Sequence, residues 1–499
     1  MNAHDPILAA TGIEGLDHIL LGGLPSGRTY LVKGHPGVGK TTLALQFLLA
    51  GAAVGEAGLY ITLSETKDEL RGVARSHGWS LDGLSLFELQ PRDTVGQSEA
   101  QYTMYHPSEV ELQEAMQILL AEVERVKPAR IVFDSLSEIR LLAQEPLRYR
   151  RQILALKRYF SGKRCTILLL DDHSAEAESH LESIAHGVLA LERYAPVYGG
   201  ARRRLEVAKL RGVRFRDGFH DFTIEPGGLR VYPRLVAAEH KVGFERTQIA
   251  SGVKELDQLL GGGLERGTAT LVIGPAGSGK SALATHYALA AARDHEHATI
   301  FTFDETTATF FARGKAMGLD VRGPADAGRL SVVQVDPAEM PPGRFAHEVR
   351  MAVERDRASL VVIDSLTGYL NSMPEERFLL NQLHELLTFL GQQGVVTILV
   401  ATQHGLIGQA MVSPIDVSYL ADGVVLLRYF EAGGVVRNAI SVVKKRSGAH
   451  ERTLRELKLG QGGVQIGQPL REFHGVLTGT PTYSGNIDPL LGESGGQTV

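Results

Sequence analysis

The sequence predicts an α/β protein of two tandem domains, each with a mainly parallel sheet and a closing β-hairpin. Three observations carry that prediction. The first is an internal repeat. Residues 11–52 read TGIEGLDHILLGGLPSGRTYLVKGHPGVGKTTLALQFLLAGA, and residues 251–292 read SGVKELDQLLGGGLERGTATLVIGPAGSGKSALATHYALAAA, at an offset of 240 with no gap. A period this long signals two whole domains rather than a solenoid. The second is the alternation of short continuous apolar runs with helix-like stretches. That is the pattern of strands buried on both faces of a parallel sheet. The third is a Gly-Gly pair between two β-like runs late in each unit, which reads as a hairpin at the sheet edge.

Taken in order, Thr29–Lys33 and Ala269–Ile273 are apolar, β-rich runs that enter a Gly-rich loop. Helices are expected over Thr41–Ala52 and Ser281–Ala292, then strands over Leu59–Leu63 and Thr299–Phe303. Later apolar runs are ARIVFDS and SLVVIDS, then CTILLLDD and VVTILVATQ. Gly199–Gly200 separates VLALERY from RLEVAKL, and Gly433–Gly434 separates VVLLRYF from AISVVKK. The domains are expected at 1–235 and 236–470, with the boundary inside 226–248. From about Gly460 the chain is rich in Gly and Ser, and 471–499 reads as a flexible C-terminal tail.

Composition narrows the function classes. The 499 residues are 43% hydrophobic and 22% charged, which excludes disordered, collagen-like and disulfide-scaffold chains. Split at residue 240, the first part has 28 basic and 30 acidic residues (-2) and the rest 24 and 27 (-3). Neither half is a basic body that binds nucleic acid by bulk charge. Cys165 is the one cysteine, so no internal disulfide forms and a reducing compartment is expected. It reads as a small buried hydrophobe. The start MNAHDPILAATG has no leader pattern, and no run reaches the ~18 apolar residues of a membrane span. A cytoplasmic protein is expected. The 18 histidines show no metal-ligand spacing; His173, His220 and His404 read as structural or polar-site residues. Trp79 reads as a packing residue, and the Arg148–Arg151 and Arg202–Arg204 runs as solvated faces.

Two segments fit G-x-x-x-x-G-K-[ST]: Gly34 to Thr41 and Gly274 to Ser281. Glycines let backbone N–H groups turn inward around phosphates, and the following helix N-terminus adds partial positive charge. The motif assigns nucleotide binding to Gly34, Gly37, Val38, Gly39, Lys40, Thr41 and Thr42, and to Gly274, Gly277, Ser278, Gly279, Lys280, Ser281 and Ala282. Lys40 and Lys280 reach the β- and γ-phosphates of ATP, and Thr41 and Ser281 place a hydroxyl on Mg²⁺. Asp134 in IVFDS and Asp364 in VVIDS end apolar strands. There they hold Mg²⁺ directly or through water, or cap the next helix. Glu65 and Glu305 each lie 25 residues after the loop lysine. A carboxylate at that strand end activates a water or hydroxyl near the γ-phosphate.

This constellation resembles the RecA-like P-loop ATPases, and within them the duplicated KaiC family of circadian-clock ATPases and autokinases. The resemblance rests on TGIEGLD…GGLPSG…GHPGVGKT, LSETKDEL, IVFDSL and KLRG in the first unit. In the second it rests on SGVKELD…GGGL…GPAGSGKS, FDET, VVIDSL and KKRSG. It covers residues 11–460 and implies two RecA-like domains in a homohexamer of two stacked rings, with ATP between neighbouring subunits. It implies that Lys209 and Arg211, and Lys444 and Arg446, reach the adjacent subunit's nucleotide as arginine-finger cations. By themselves these residues read as surface charges on a hairpin. The family carries adjacent acids after the second strand. The first unit has Ser64–Glu65 and the second Asp304–Glu305, with Asp304 in the place of the autophosphorylation base. The family's adjacent Ser and Thr acceptors correspond to Ser418 and Tyr419, with a further hydroxyl at Ser413.

The expectation is a Mg²⁺- and ATP-dependent ATPase that autophosphorylates on Ser418 and acts in signalling or timekeeping with protein partners. Membrane and nucleic acid are not expected partners. A RecA-like DNA-processing motor and a non-catalytic, nucleotide-gated scaffold are the alternatives.

Overall fold

The computed structural model describes residues 7–89, 107–172, 178–196, 199–371, 379–403, 418–478 and 482–484. The chain divides into two compact units, Met1–Arg234 and Leu235–Val499. Each contains a nine-stranded sheet.

Across the first sheet the strands are Leu84–Glu88, Gly58–Thr62, Arg130–Asp134, Thr166–Asp171, Thr29–Lys33, Gly187–Tyr194, Arg202–Leu210, Phe219–Glu225 and Gly228–Tyr232. The first six run parallel, and the last three continue antiparallel. The second sheet repeats the order: Leu330–Gln334, His297–Thr302, Ala358–Asp364, Val396–Thr402, Ala269–Gly274, Gly423–Ala432, Val435–Lys445, Arg455–Gly460 and Gly463–Pro469. The order is the same although the offset of 240 holds only as far as the helices Lys67–Ser76 and Thr307–Ala316. Beyond them loop lengths differ, and the strand-end acids Asp134 and Asp364 lie 230 residues apart.

The continuous apolar runs are strands buried on both faces, as expected. Successive side chains of a strand point to opposite faces. Tyr30 and Val32 therefore pack on one face with Leu43, Leu45 and Leu48 of the helix Lys40–Ala53. Leu31 packs on the other with Met116, Leu119, Ile153 and Leu156. The second unit divides in the same way: Val272 faces Leu283 and Leu289, while Leu271 and Ile273 face Leu383, Leu386 and Leu390. Cys165 is buried, and burial pushes its thiol up to about 12, so it behaves as a packing residue.

Both Gly-Gly hairpins form, Gly187–Tyr194 with Arg202–Leu210 and Gly423–Ala432 with Val435–Lys445. Beyond each hairpin the sheet gains two more antiparallel strands that the apolar-run reading did not separate from linker or tail. Leu457 and Leu459 cover the side of the second P-loop, 3.4 and 3.1 Å from where a Cβ on Gly279 would stand. The predicted tail is folded at its start. Phe473 and Val476 pack with Phe430 and Ala439, with the Phe430 and Phe473 rings edge to face at 5.5 Å. Residues 485–499 lie outside the described residues, as do His173, His404 and Ser413. Trp79 packs against the first core, and buried His220 bonds the Arg234 N–H and the Arg216 carbonyl. No helix among the described residues is long and apolar enough to cross a membrane.

Parallel strands bring their C-terminal ends to one edge, the usual ligand edge of an open α/β sheet. Gly34, Glu65, Asp134 and Asp172 all follow or end such strands in the first unit. Gly274, Glu305 and Asp364 do so in the second.

Candidate functional site

The site begins with the Gly-rich loop between the central strand and its helix. Gly34 lies against the neighbouring strand, where an added Cβ would stand 2.5 Å from the Leu191 carbonyl oxygen. Gly39 has φ 115°, the left-handed region that glycine tolerates. Gly274 and Gly279 repeat this, with the Leu427 carbonyl 2.7 Å from a Cβ and φ 99°. Gly37 and Gly277 also have positive φ. Val38, Thr42, Ser278 and Ala282 are buried and hold the loop from beneath, with Ser278 Oγ donating to the Pro275 carbonyl at 2.8 Å.

Each loop lysine is folded back into its own cradle. Lys40 Nζ donates to the Gly34 carbonyl at 2.6 Å, the His35 carbonyl at 3.2 Å and Asp172 Oδ1 at 2.8 Å. Lys280 Nζ donates to the Gly274 and Pro275 carbonyls at 3.0 and 2.7 Å. Burial lowers the Lys280 pKa, opposed by the charges of Asp364 and Asp304.

The strand-end acids meet the loop hydroxyls. Thr41 Oγ1 donates to Asp134 Oδ2 at 3.1 Å, and Tyr60 OH donates to the same oxygen. Ser281 hydrogen-bonds Asp364. Burial raises both carboxyls above the ordinary range, although the hydrogen bonds pull them down. One carboxylate beside one hydroxyl is a set of hard oxygens that suits Mg²⁺, whose remaining positions phosphate and water fill. Among the described residues no group of three or more His, Cys, Asp or Glu could hold a metal unaided. That donor set fits a metal brought in with a nucleotide.

The two candidate bases differ. Glu65 follows the strand Gly58–Thr62, and Thr62 Oγ1 fixes its backbone by bonds to its N–H and carbonyl at 3.0 and 2.6 Å. Thr66 then starts the next helix with a capping box to Glu69, worth about 1 kcal/mol. Glu65 Oε2 is buried with no hydrogen-bond partner among the described residues. Burial, then the charges of Asp134 and Glu69, raise its pKa. In the second unit, Asp304 Oδ2 accepts from Ser365 Oγ, and both oxygens of Glu305 accept from Arg313. Lys280, Ser281, Asp304, Glu305, Arg313 and Asp364 line one cleft of about 350 Å³.

The expected finger cations stand elsewhere. Leu210 pairs with Gly187 and Lys444 with Val424, at the strand ends opposite the P-loops. Lys209 Nζ donates to the Glu182 carbonyl, and Arg211 Nη2 to the Ser183 carbonyl at 3.0 Å. Lys444 Nζ donates to the Ser418 and Ala421 carbonyls, both at 2.8 Å. Arg446 pairs with Asp422 at 3.0 Å and donates to the Tyr419 carbonyl at 2.9 Å. Ser418 lies in this same turn, just before the strand Gly423–Ala432. Six residues of strand put roughly 20 Å between the two edges. Sequence reasoning missed Asp172, Tyr60, Arg313 and Ser365. The position of Arg313, two helical turns beyond Glu305, was the available signal for one of them.

Two P-loops, each on a RecA-type sheet with a strand-end acid and a carboxylate after the next strand, define a tandem P-loop ATPase. The family model described as "ATPase: KaiC" matches residues 9–236 and again 249–471. The chain belongs to the KaiC ATPase family. It is 28% identical over 487 residues to the circadian clock protein KaiC3 of Synechocystis sp., covering 95% of this chain and 94% of that protein. It is 28% identical over 483 residues to the circadian clock oscillator protein KaiC of Thermostichus vulcanus, covering 95% and 91%. With KaiC of Prochlorococcus marinus the identity is 26% over 486 residues, covering 94% and 95%.

Proposed function

We propose that this protein is a ring-forming, Mg²⁺-dependent ATPase that also phosphorylates itself on Ser418. The observation that carries this reading is the split between sheet edges. Nucleotide-binding residues lie at one edge of each sheet, and Lys209, Arg211, Lys444, Arg446 and Ser418 at the other. A separation of roughly 20 Å is too long for a side chain to cross. The finger cations and the acceptor hydroxyl therefore serve the nucleotide of a neighbouring copy, as in the homohexamer that family membership supports.

At the first site Lys40 turns from Asp172 to the β- and γ-phosphates, and the loop N–H groups hold the phosphate oxygens. Thr41 and Asp134 would hold Mg²⁺, which would supply positive charge to offset that of the phosphate oxygens. Glu65 takes a proton from water as that water attacks the γ-phosphorus in line. The bond to the ADP oxygen breaks, and Lys209 and Arg211 of the neighbour offset the charge. At the second site the neighbour's Ser418 oxygen attacks instead. Its proton passes to Asp304, a P–O bond forms on Ser418, and ADP leaves. The added charge of roughly -1.5 to -2 falls on the turn held by Lys444 and Arg446.

The relatives bear circadian-clock names. We extend to this chain a role in signalling or timekeeping through nucleotide-driven ring conformation, in the cytoplasm, with signalling proteins as partners. Incubation with γ-labelled ATP and Mg²⁺ tests the autokinase. Label on the wild type, lost in Lys280→Ala and Ser418→Ala, is expected. Free phosphate without protein label would leave an ATPase and favour the DNA-motor alternative. Bound ATP with neither product would leave a scaffold.

A further inference from the structure

The two domains hold the same carboxylate in two different states. Glu65 and Glu305 occupy equivalent positions, each followed by a Thr-capped helix, Lys67–Ser76 and Thr307–Ala316. In the second helix Arg313 reaches back to Glu305. Its Nη2 lies 2.5 Å from Oε1 and its Nε 3.3 Å from Oε2. The pair is mostly withdrawn from solvent, with side chains 27% and 21% exposed, and lies in the cleft beside Lys280 and Asp364. The Arg313 guanidinium also sits 5.2 Å from the ring of buried Phe310, which fixes its approach. The residue 240 positions earlier is Val73, packed on the first core. Its side chain offers no donor, and Glu65 Oε2 has no partner among the described residues.

We infer that Arg313 is a positioning residue that latches Glu305 and withholds it from water at the second site. Two hydrogen bonds from one guanidinium occupy a lone pair on each oxygen and hold the carboxylate in a single orientation. Glu305 must therefore turn or shed a bond to aim its remaining lone pairs at a water placed elsewhere in the cleft. The latch slows hydrolysis in the second domain. ATP bound there persists, so its γ-phosphoryl group remains available to the neighbour's Ser418 hydroxyl. Glu65, with no latch, is the faster water-activating group. The inference rests on the reading of Glu65 and Glu305 as water-activating bases.

The test separates the two claims. Glu65→Gln silences the base of the first domain while leaving its P-loop intact, and Glu65→Gln/Lys280→Ala supplies the zero. Free phosphate well above background in that double variant would refute the reading of Glu65 itself. In the Glu65→Gln background, Arg313→Met keeps the apolar reach of the side chain and removes its donors. The expected result is a kcat for phosphate release raised roughly tenfold, the scale of one charge-assisted hydrogen bond, with KM little changed. Arg313→Lys, which donates from a single nitrogen, should fall between. Grafting the latch, Val73→Arg in a Lys280→Ala background, should slow release. An unchanged or lower kcat in Arg313→Met, in protein that still binds ATP, would overturn the latch. So would equal rates for the Met and Lys variants.

Discussion

Asp172 offers the sharpest prediction for ATP binding. Its Oδ1 accepts from Lys40 Nζ at 2.8 Å, and its Oδ2 accepts from Ser137 at 3.2 Å. The lysine must leave this carboxylate to meet a phosphate, so Asp172 competes with ATP. The lysine side chain is 8% exposed and the acid 40%. With the acid that open, screening leaves the pair worth about 0.5–1 kcal/mol. Asp172→Asn removes the charge and keeps the shape and the Ser137 contact. Lys40 retains its two carbonyl partners. Affinity of the first site for ATP should therefore rise about two- to fivefold. The second domain is the internal control, because Thr402 occupies the matching register position and, among the described residues, Lys280 Nζ donates to carbonyls rather than to a carboxylate. Titration with a fluorescent ATP analogue in a Lys280→Ala background measures the first site alone. The gain should shrink as salt rises. Unchanged or weaker binding would refute the competition argument and make Asp172 a contributor to the nucleotide site.

Three further outcomes follow from the same geometry. Glu65→Gln should raise the melting midpoint at neutral pH by a few degrees, because a partly buried carboxylate with an unpartnered oxygen gives way to a neutral amide. The raised pKa makes that penalty present above the folded pKa and lost as the pH falls below it, so the gain should vanish on acidification. For the same reason, phosphate release from the first site should decline with falling pH before the ordinary glutamate range near ~4.3 is reached. Mixing Lys40→Ala protein with Lys209→Ala/Arg211→Ala protein should restore part of the hydrolysis that each lacks, since intact fingers then face intact P-loops; no recovery in mixed oligomers would place the fingers elsewhere.

Much of this was legible in the sequence because phosphate chemistry is local. A P-loop needs glycines at fixed spacing, and the strand before it and helix after it are fixed by a few apolar residues. Asp134 and Asp364 were legible because each ends an unbroken apolar strand. The added antiparallel strands Phe219–Glu225 and Gly463–Pro469 were not, since only part of each is buried and they carry polar residues or glycines. Asp172 and Arg313 escaped for another reason. Their roles depend on which strand neighbours which and on which way a helix faces. The Lys209 and Lys444 positions show the reverse case: residues alone read as surface charge, and only strand direction sets them opposite their own P-loop.

The division of labour between the domains is the central claim, and steady-state phosphate release tests it most directly. Lys280→Ala and Glu65→Gln are compared side by side at saturating ATP. The account predicts that Lys280→Ala keeps most of the wild-type rate, while Glu65→Gln loses at least about a hundredfold of the first domain's contribution. The reverse pattern, with hydrolysis surviving Glu65→Gln and lost in Lys280→Ala, would contradict it.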